Sequence, residues 1–463
     1  MKSDGWLLRP GSMNNQDVAS AFARVVLSLA MAVLAFASQP TAGAVPPPQF
    51  GARTNFPGGS YPYSMVVADF NRDGKPDIAI TSNPGVVLLL GLGNGAFSAT
   101  TNSSLSGPYY LAAGDFNNDG NLDLLILGDY GGSVLLGDGR GNFPAVTNSV
   151  SADHPPGLAM GDFNGDGKLD VACGGYLAVN IAFGRGNASF GPSTNYSLTR
   201  SPSDIRAGDL NGDGTLDIVV ALRSSSSVES NSVCVLMNKG DGTFATPQYS
   251  GGASGPNEYW LSLELADINH DGSLDLVLLN DNAGSVTIQM NNGAGTFGPT
   301  HNYAVGFSPR SVAAGDFNGD GNVDLIVRGG TAAILLLGHG DGSFTVGTPM
   351  SAPSDSGKHA TVGVGDFNGD GMPEIAFLDY SGRAVAVMLN QTPPLLRLTP
   401  MPGYSQLSWL TTFGAGYTLE CTTNPTVPGG WQPFPYPPVV LGNQKAITDW
   451  EDREQKFYRL RKP

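Results

Sequence analysis

The sequence has few of the residues on which disulfide-rich domains and most hydrolases depend. Its 463 residues include only three cysteines, Cys173, Cys234 and Cys421, so at least one thiol is free and no disulfide framework can form. The five histidines stand in no G-x-S-x-G or H-E-x-x-H context. The fold must be stabilised in another way, and bound metal is one option.

Basic residues are also scarce. The chain has 24 lysines and arginines against 40 acidic residues, a formal net charge of −16. This balance argues against nucleic acid and anionic membranes as partners. Glycine (64 residues) and proline (33 residues) are abundant instead, which is typical of an all-β chain with many tight turns.

One apolar run stands out, and it is too short to span a membrane comfortably. It covers residues 25–37, follows Arg24 and precedes the small residues Ala42, Gly43 and Ala44. This pattern predicts a signal peptide over residues 1–44, with Met13 as an alternative start. We therefore expect a protein that is secreted or displayed at the cell surface, with no membrane span in the mature chain.

A nine-residue acidic pattern, D-[FLI]-N-x-D-G-x-x-[DE], occurs seven times. The copies begin at Asp69, Asp115, Asp162, Asp209, Asp267, Asp316 and Asp366. Each copy is followed by two apolar runs, a glycine-rich turn that ends in Phe, and a polar segment. These pieces predict four short strands for every copy, which is the number of strands in a propeller blade.

The last copy lacks its final strand, and a matching segment lies at the other end of the chain. Phe50 and the residues after it resemble the segments that begin at Phe190 and Phe297. The sequence thus predicts an all-β fold: a seven-bladed β-propeller over residues 45–391, with the N-terminal strand closing the last blade. Residues 392–394 read as a linker, and alternating apolar residues predict a small C-terminal β-sandwich over 395–463.

The acidic pattern suits a hard cation. Side-chain oxygens at positions 1, 3 and 5, a main-chain carbonyl at position 7 and a carboxylate at position 9 can converge on calcium. None of these positions holds His or Cys, which disfavours zinc. We predict up to seven Ca²⁺ ions, held by Asp69, Asn71, Asp73, Lys75 and Asp77; Asp115, Asn117, Asp119, Asn121 and Asp123; Asp162, Asn164, Asp166, Lys168 and Asp170; Asp209, Asn211, Asp213, Thr215 and Asp217; Asp267, Asn269, Asp271, Ser273 and Asp275; Asp316, Asn318, Asp320, Asn322 and Asp324; and Asp366, Asn368, Asp370, Met372 and Glu374.

The seven copies resemble the FG-GAP and VCBS-type repeats of integrin α-subunit propellers and of many exported bacterial proteins. The resemblance covers about residues 49–391 and rests on the loop, the strand order and the period. It implies a calcium loop between the first and second strands of each blade, on the face opposite the usual ligand face. The last copy departs from the pattern by carrying Glu374 after Pro373.

Aromatic and basic residues recur where the chain enters each first strand, at the end opposite the acidic loops. They suit sugar rings or peptide side chains, and the candidate ligand-binding residues are Tyr61, Tyr63, Tyr109, Tyr110, Tyr259, Trp260 and Arg310.

With no catalytic motif, the sequence favours an adhesion or binding module for an extracellular glycan or protein. Two alternatives stay open: a propeller-based polysaccharide lyase or glycosidase, and a structural component of an envelope assembly.

Overall fold

A computed structural model describes most of the chain after the predicted signal peptide. The described residues are 47–83, 85–102, 108–128, 131–150, 157–223, 233–251, 262–354, 361–392, 396–401, 404–410, 418–422, 431–435, 437–441, 444–450 and 456–461. The predicted signal peptide over residues 1–44 lies outside them. Within these ranges the chain forms strands and turns and no helix. None of the described segments is therefore a helix long and apolar enough to cross a membrane.

The repeats form seven antiparallel sheets, which we number in chain order. Strand β1 (Thr54–Pro57) comes first in the chain and belongs to the last of them. The strands are, in sheet 1, β2 (Ser60–Ala68), β3 (Asp77–Asn83), β4 (Gly85–Gly91) and β5 (Phe97–Asn102); in sheet 2, β6 (Pro108–Gly114), β7 (Asp123–Gly128), β8 (Gly131–Leu136) and β9 (Ala145–Val150); in sheet 3, β10 (Leu158–Gly161), β11 (Asp170–Gly175), β12 (Ala178–Ala182) and β13 (Thr194–Ser197); in sheet 4, β14 (Pro202–Gly208), β15 (Asp217–Leu222), β16 (Val233–Leu236) and β17 (Gln248–Ser250); in sheet 5, β18 (Leu263–Ala266), β19 (Asp275–Asn280), β20 (Ser285–Gln289) and β21 (His301–Ala304); in sheet 6, β22 (Ser311–Gly315), β23 (Asp324–Arg328), β24 (Ala332–Gly338), β25 (Phe344–Val346) and β26 (Met350–Ser351); and in sheet 7, β27 (Val362–Gly365), β28 (Glu374–Asp379) and β29 (Ala384–Met388), with β1.

The two middle strands of each sheet carry the continuous apolar runs of the sequence. Every residue of β15 and β19 is buried, and β3 is buried up to its last residue. A strand with both faces apolar must be covered on both sides. The sheets therefore pack against one another face to face, and polar fourth strands such as β13 and β21 are more exposed.

Each apolar cluster in the repeat region draws on two sheets. Six clusters join neighbours along the chain, and a seventh joins sheet 1 to sheet 7. In that seventh cluster Ile80 and Leu89 of sheet 1 pack with Leu378 and Val385 of sheet 7, all of them fully buried. The first strand of sheet 1, β2, accordingly lies next to both β6 and β27.

The N-terminal segment supplies the fourth strand of sheet 7. Strand β1 pairs antiparallel with β29, with Phe56 opposite Val385. The pairing extends outward, because Phe50 forms a bridge with Asn390 and the amide of Gly51 donates to the carbonyl of Leu389 at 2.9 Å. Thr392, the first residue of the expected linker, is buried and accepts a hydrogen bond from the amide of Gln49 at 2.8 Å.

The C-terminal residues form two further sheets. Sheet 8 contains β30 (Arg397–Met401), β31 (Tyr404–Leu410), β34 (Val439–Leu441) and β35 (Gln444–Trp450), and sheet 9 contains β32 (Thr418–Thr422), β33 (Gln432–Pro433) and β36 (Phe457–Arg461). Both contribute to one apolar cluster, in which Leu407 and Trp409 of sheet 8 pack with Leu419 of sheet 9.

Candidate metal centres and ligand surface

The acidic pattern forms the connection between the first and second strands of every sheet. In sheet 1 this connection runs from Asp69 to Pro76, between β2 and β3. Since the strands are antiparallel, the glycine-rich turn between the third and fourth strands lies at the same end. We call this end the loop end. The entry to each first strand and the turn between the second and third strands lie at the opposite end.

Backbone amides fix the side-chain oxygens of each acidic loop. In the first loop the amide of Asp73 donates both to Asp69 Oδ1, at 3.1 Å, and to Asn71 Oδ1, at 3.0 Å. The amide of Gly74 donates to Asp69 Oδ2 at 2.8 Å, and that of Lys75 to Asp73 Oδ1 at 3.0 Å. The same four bonds recur in the loops that begin at Asp115, Asp162, Asp209, Asp267, Asp316 and Asp366. Shared donors thus hold the oxygens of positions 1, 3 and 5 close together.

The backbone reverses with positive φ at two places in the loop. Position 6 is always Gly, but position 4 also has positive φ and is not always Gly. Position 4 is occupied by Arg72 (φ 60), Asn118 (φ 57), Gly165, Gly212, His270 (φ 60), Gly319 and Gly369. The left-handed region costs an ordinary L-residue free energy, so the variable position of the pattern is under a backbone constraint that the sequence did not reveal.

The carboxylate at position 9 has a different environment from the others. Asp77 is fully buried, and its two oxygens accept the amides of Phe70 at 2.9 Å and Gly91 at 2.7 Å. It thereby ties the acidic loop to the glycine-rich turn. Each oxygen keeps a further lone pair, so this arrangement leaves room for a cation. Equivalent bonds are made by Asp123, Asp170, Asp217, Asp275, Asp324 and Glu374.

Burial is the main cause of a raised pKa at position 9, and the neighbouring aspartates add to it. The pKa of Asp77 rises to about 6 and that of Asp324 to about 7, in each case despite the two amide donors. Glu374 is raised furthest, to about 8. Carboxyl groups crowded in this way remain ionised at neutral pH only at a cost, which a bound cation would remove.

The seventh loop brings its acids closest together. Carboxylate oxygens of Asp366, Asp370 and Glu374 all lie within 4.8 Å of one another, and no other group of three acidic, His or Cys residues in the described ranges does so. The longer side chain of Glu374 accounts for this, because it reaches the loop while still accepting the amide of Phe367 at 2.6 Å. The copy that departs most from the pattern is therefore the one whose carboxylates lie closest together.

The donor set fits a calcium ion. All the side chains offered are carboxylates or carboxamides, which are the hard oxygen ligands that Ca²⁺ prefers, and the main chain holds them in place before any ion binds. In the first loop, Asp69, Asn71, Asp73 and Asp77 would hold the ion, together with the carbonyl of Lys75.

At the opposite end, three tyrosines meet where sheet 1 contacts sheet 7. The ring of Tyr380, in the turn after β28, lies 5.7 Å from that of Tyr61 and 5.8 Å from that of Tyr63. The guanidinium of Arg383 lies 5.6 Å from the centre of the Tyr61 ring, and Tyr61 is 44 % exposed. We call these four residues the Tyr61 patch.

The other predicted ligand residues are placed separately. Tyr110 is half-buried in sheet 2, where burial raises its pKa to about 12; Asp204 adds to the rise and Arg223 opposes it. Arg310 opposes the burial that raises the pKa of Asp281, in the turn after β19. The backbone of Tyr109 lies in β6, but its side chain is not among those described, and Tyr259 and Trp260 lie outside the described residues. The structure thus joins Tyr61 to Tyr63 but does not bring all the candidates together.

Sequence reasoning missed two groups, one at this end and one within the first strands of sheets 4 and 5. Tyr380 and Arg383 lie in a turn between the second and third strands, whereas the predicted ligand residues all lie at the entries to first strands. Asp204, Arg206 and Glu264 form an ion-pair cluster between sheets 4 and 5, with Arg206 Nη1 2.7 Å from Asp204 Oδ1. Alignment of the seven copies on their first Asp would have revealed Arg206 and Glu264, because most copies have a small residue there.

Comparison with known folds agrees with this architecture. A lectin from Agrocybe aegerita, described for its recognition of non-reducing terminal N-acetylglucosamine, is similar with a TM-score of 0.50 and 20 % identity, over 72 % of this chain and 86 % of the lectin. The BBS1N structure in complex with ARL6DN is similar with a TM-score of 0.50 and 12 % identity, over 73 % of this chain and 96 % of that one. At these identities the likeness concerns the fold alone. No curated protein matches the chain.

The family model of the FG-GAP-like repeat matches residues 69–126, 115–173, 162–220, 224–278, 267–327 and 316–377. Five of the six matches begin at the first Asp of an acidic loop and run into the next repeat, whereas the match over 224–278 begins after the fourth loop; together the matches cover about two thirds of the chain. The chain therefore belongs to the family of FG-GAP-like repeat proteins.

Proposed function

We propose that the protein is an exported, calcium-binding, seven-bladed β-propeller that binds extracellular glycans through the end opposite its acidic loops. Each of the seven sheets would be a blade, and sheets 8 and 9 would form a small C-terminal β-sandwich. The clusters that link successive sheets, together with the cluster between sheets 1 and 7, support a closed ring. The run over residues 25–37 supports export.

Calcium in this proposal has a structural role. The ions would neutralise the position-9 carboxylates and tie the acidic loops to the glycine-rich turns, at the loop end. That would leave the opposite end free for a ligand. A rigid scaffold with binding groups at one end is a common use of propellers.

The Tyr61 patch carries the proposal of glycan binding. Its rings offer apolar faces with polar edges, and Arg383 adds several hydrogen-bond donors beside them. Such a mixture suits the apolar faces and hydroxyl groups of sugar rings. The patch lies at the contact of the first and last sheets, so it would be intact only if the ring closes.

A glycan array, combined with a panel of polysaccharides assayed for binding and for cleavage, tests the proposal. The double variant Tyr61→Ala/Tyr380→Ala should lose binding while keeping its melting temperature. Tyr176→Ala is the matched control, because Tyr176 also lies at the opposite end and is 89 % exposed but makes no ring contact with any described residue. Binding that survives the double variant would remove the patch from the proposal. Cleavage of a polysaccharide would favour a lyase or glycosidase instead.

A further inference from the structure

Three charged side chains meet on the first strands of sheets 4 and 5. Arg206, in β14, lies between two carboxylates: its Nη1 is 2.7 Å from Asp204 Oδ1, and its Nε is 3.6 Å from Glu264 Oε2 in β18. The second oxygen of Asp204 accepts Ser262 Oγ at 2.9 Å and the amide of Leu263 at 3.1 Å. Asp204 is thus fully engaged, and it fixes the position of Arg206.

This cluster occupies a place where the other sheets have small or apolar residues. Arg206 and Glu264 each stand three residues before the first Asp of their acidic loop. The same position holds Val66, Ala112, Ala159, Ala313 and Gly363 in the remaining sheets. The first strand is the terminal strand of each sheet, with one edge unpaired in the sheet topology. In the proposed ring these edges would surround the central channel, and the charges would stand on one side of it.

The charged groups are deep in the protein but still reach solvent. Burial alone would lower the pKa of Arg206, yet Asp204 and Glu264 outweigh it and raise that pKa. Burial also raises the pKa of Glu264; Arg206 opposes this and Asp204 adds to it. Nevertheless 34 % of the Arg206 side chain and 29 % of the Glu264 side chain remain exposed. Both side chains are therefore accessible to a small ligand from solvent.

The exposed parts of Arg206 and Glu264 place a hydrogen-bond donor beside an acceptor. Arg206 Nη2 makes no hydrogen bond with any residue in the described ranges, since Nη1 contacts Asp204 and the carbonyl of Ile205, and Nε faces Glu264. A carboxylate has about four acceptor sites, so Glu264 keeps acceptors available next to it. Each hydroxyl of a sugar both donates and accepts, and a pair of neighbouring hydroxyls therefore matches this pair of groups. The cluster contains two carboxylates and one guanidinium, so its net negative charge repels anionic ligands.

We propose that Arg206 and Glu264 form a ligand subsite that binds neighbouring hydroxyls of a neutral sugar residue, with Asp204 as the positioning residue for Arg206. This inference rests on the proposed function, because it names a second contact of the same glycan-binding protein. It also commits to ligand chemistry: neutral sugars bind, and acidic sugars do not.

The test measures binding of single sugars by saturation-transfer NMR, with methyl glycosides of neutral monosaccharides as probes and with glucuronic acid and glucosamine as charged counterparts. Glu264→Gln and Arg206→Met should each weaken binding of the neutral sugar about tenfold, as expected for the loss of one charge-assisted hydrogen bond. Arg206→Lys keeps the charge but loses the planar fork, and it should weaken binding as well. If Arg206→Met does not fold, Arg206→Lys tests the role of Arg206 in its place.

Arg461→Met is the matched control, since it breaks another Arg–Glu pair, that of Arg461 Nη1 with Glu420 Oε1 at 3.2 Å, in the C-terminal sheets. It should leave binding unchanged. Neutral-sugar binding that is unaffected by all three variants but lost in Tyr61→Ala/Tyr380→Ala overturns the subsite and leaves the proposed function intact. Binding of glucosamine alone overturns the neutral-sugar chemistry. A wild-type protein that binds no glycan at all overturns the proposed function itself.

Discussion

The amide of Gly95, in the glycine-rich turn of sheet 1, donates a 2.9 Å hydrogen bond to the carbonyl oxygen of Phe367, in the acidic loop of sheet 7. The first and last repeats are 272 positions apart at these residues, and yet they contact each other as neighbouring repeats do. Equivalent bonds link Ala188 to Phe116 and Gly295 to Leu210. The contact between the first and last repeats is therefore built in the same way as the contacts between repeats that are consecutive in the chain.

Removal of residues 45–57 should destabilise the whole repeat region. The deletion strips β1 from β29 and removes Phe50, whose ring packs 6.2 Å from that of Phe317. An unpaired strand edge and newly exposed apolar surface favour aggregation. We expect loss of cooperative unfolding in calorimetry and aggregation in size-exclusion chromatography.

The control for this deletion is the chain that begins at residue 45. A deletion variant that is soluble and melts at the control's temperature would favour an open array of sheets over a ring.

Removal of calcium should lower the melting temperature sharply, and Ca²⁺ should restore it better than Mg²⁺, which demands a stricter octahedral geometry. Asp366→Asn should reduce the calcium effect, because it removes a charge from the seventh loop, where three carboxylates lie within 4.8 Å. Asp341→Asn is the control, since Asp341 lies in a glycine-rich turn and accepts Ser343 Oγ there. A melting curve that does not change after exhaustive chelation contradicts the calcium sites.

The pH dependence of the metal-free protein should run opposite to ordinary acid denaturation. Burial raises the pKa of Asp77, Asp123 and Asp170 to about 6, from about 3.9 in an unfolded chain. Between these values the folded protein binds more protons than the unfolded one. Its stability therefore falls as pH rises from about 4 through 6. Differential scanning calorimetry of dialysed protein should give a higher melting temperature at pH 5 than at pH 7.5.

Saturating Ca²⁺ should abolish the higher melting temperature at pH 5, because the ion binds the ionised form of the same carboxylates and protons compete with it. A metal-free protein that melts at a lower temperature at pH 5 than at pH 7.5 would show that these carboxylates do not dominate its stability.

His270→Gly should stabilise the fifth loop. His270 has φ 60, where a glycine is unstrained. The relief of strain exceeds the entropy that glycine loses on folding, so we expect a gain of up to about 1 kcal/mol in urea denaturation. Asn118→Gly should gain less, because asparagine tolerates this conformation. Equal gains, or a loss for His270→Gly, would mean that position 4 is not strained.

The sequence predicted the parts of the fold that repeat. Apolar runs such as residues 86–90 are strands, and the acidic pattern from Asp69 onward connects the first strand to the second, because period and turn chemistry are local properties. The membership of the FG-GAP-like family is confirmed. The sequence predicted Asp77 as a cation ligand but not as an acceptor of two backbone amides. Residue spacing does not show whether a carboxylate accepts amides, binds a cation or does both.

Other features depend on contacts between repeats, and the pattern of a single repeat does not show which residues meet. Tyr380 lies far from Tyr61 in sequence and meets it only because sheet 7 packs on sheet 1. Arg206 and Glu264 lie 58 positions apart and meet because β14 and β18 belong to neighbouring sheets. Such pairs follow from the arrangement of the sheets, which single-repeat patterns do not specify.

One position at the end of the third strand, which is its last residue or lies one or two residues beyond it, is occupied by one of two residue types. In sheets 1, 2, 3 and 6 it is a glycine, such as Gly91, where a Cβ would collide with the carbonyl of Pro76. In sheets 4, 5 and 7 it is a buried asparagine whose carboxamide donates to a carbonyl of the preceding repeat: Asn238 to Phe163, Asn291 to Leu210 and Asn390 to Phe317, at 2.8 to 2.9 Å.

The acceptor in each case is a main-chain oxygen, which every repeat possesses whatever its sequence. A repeat that carries the asparagine can therefore follow any other repeat without a matching side chain. Gene duplication could lengthen such an array one repeat at a time, because each new copy would carry the asparagine that hydrogen-bonds to the copy before it.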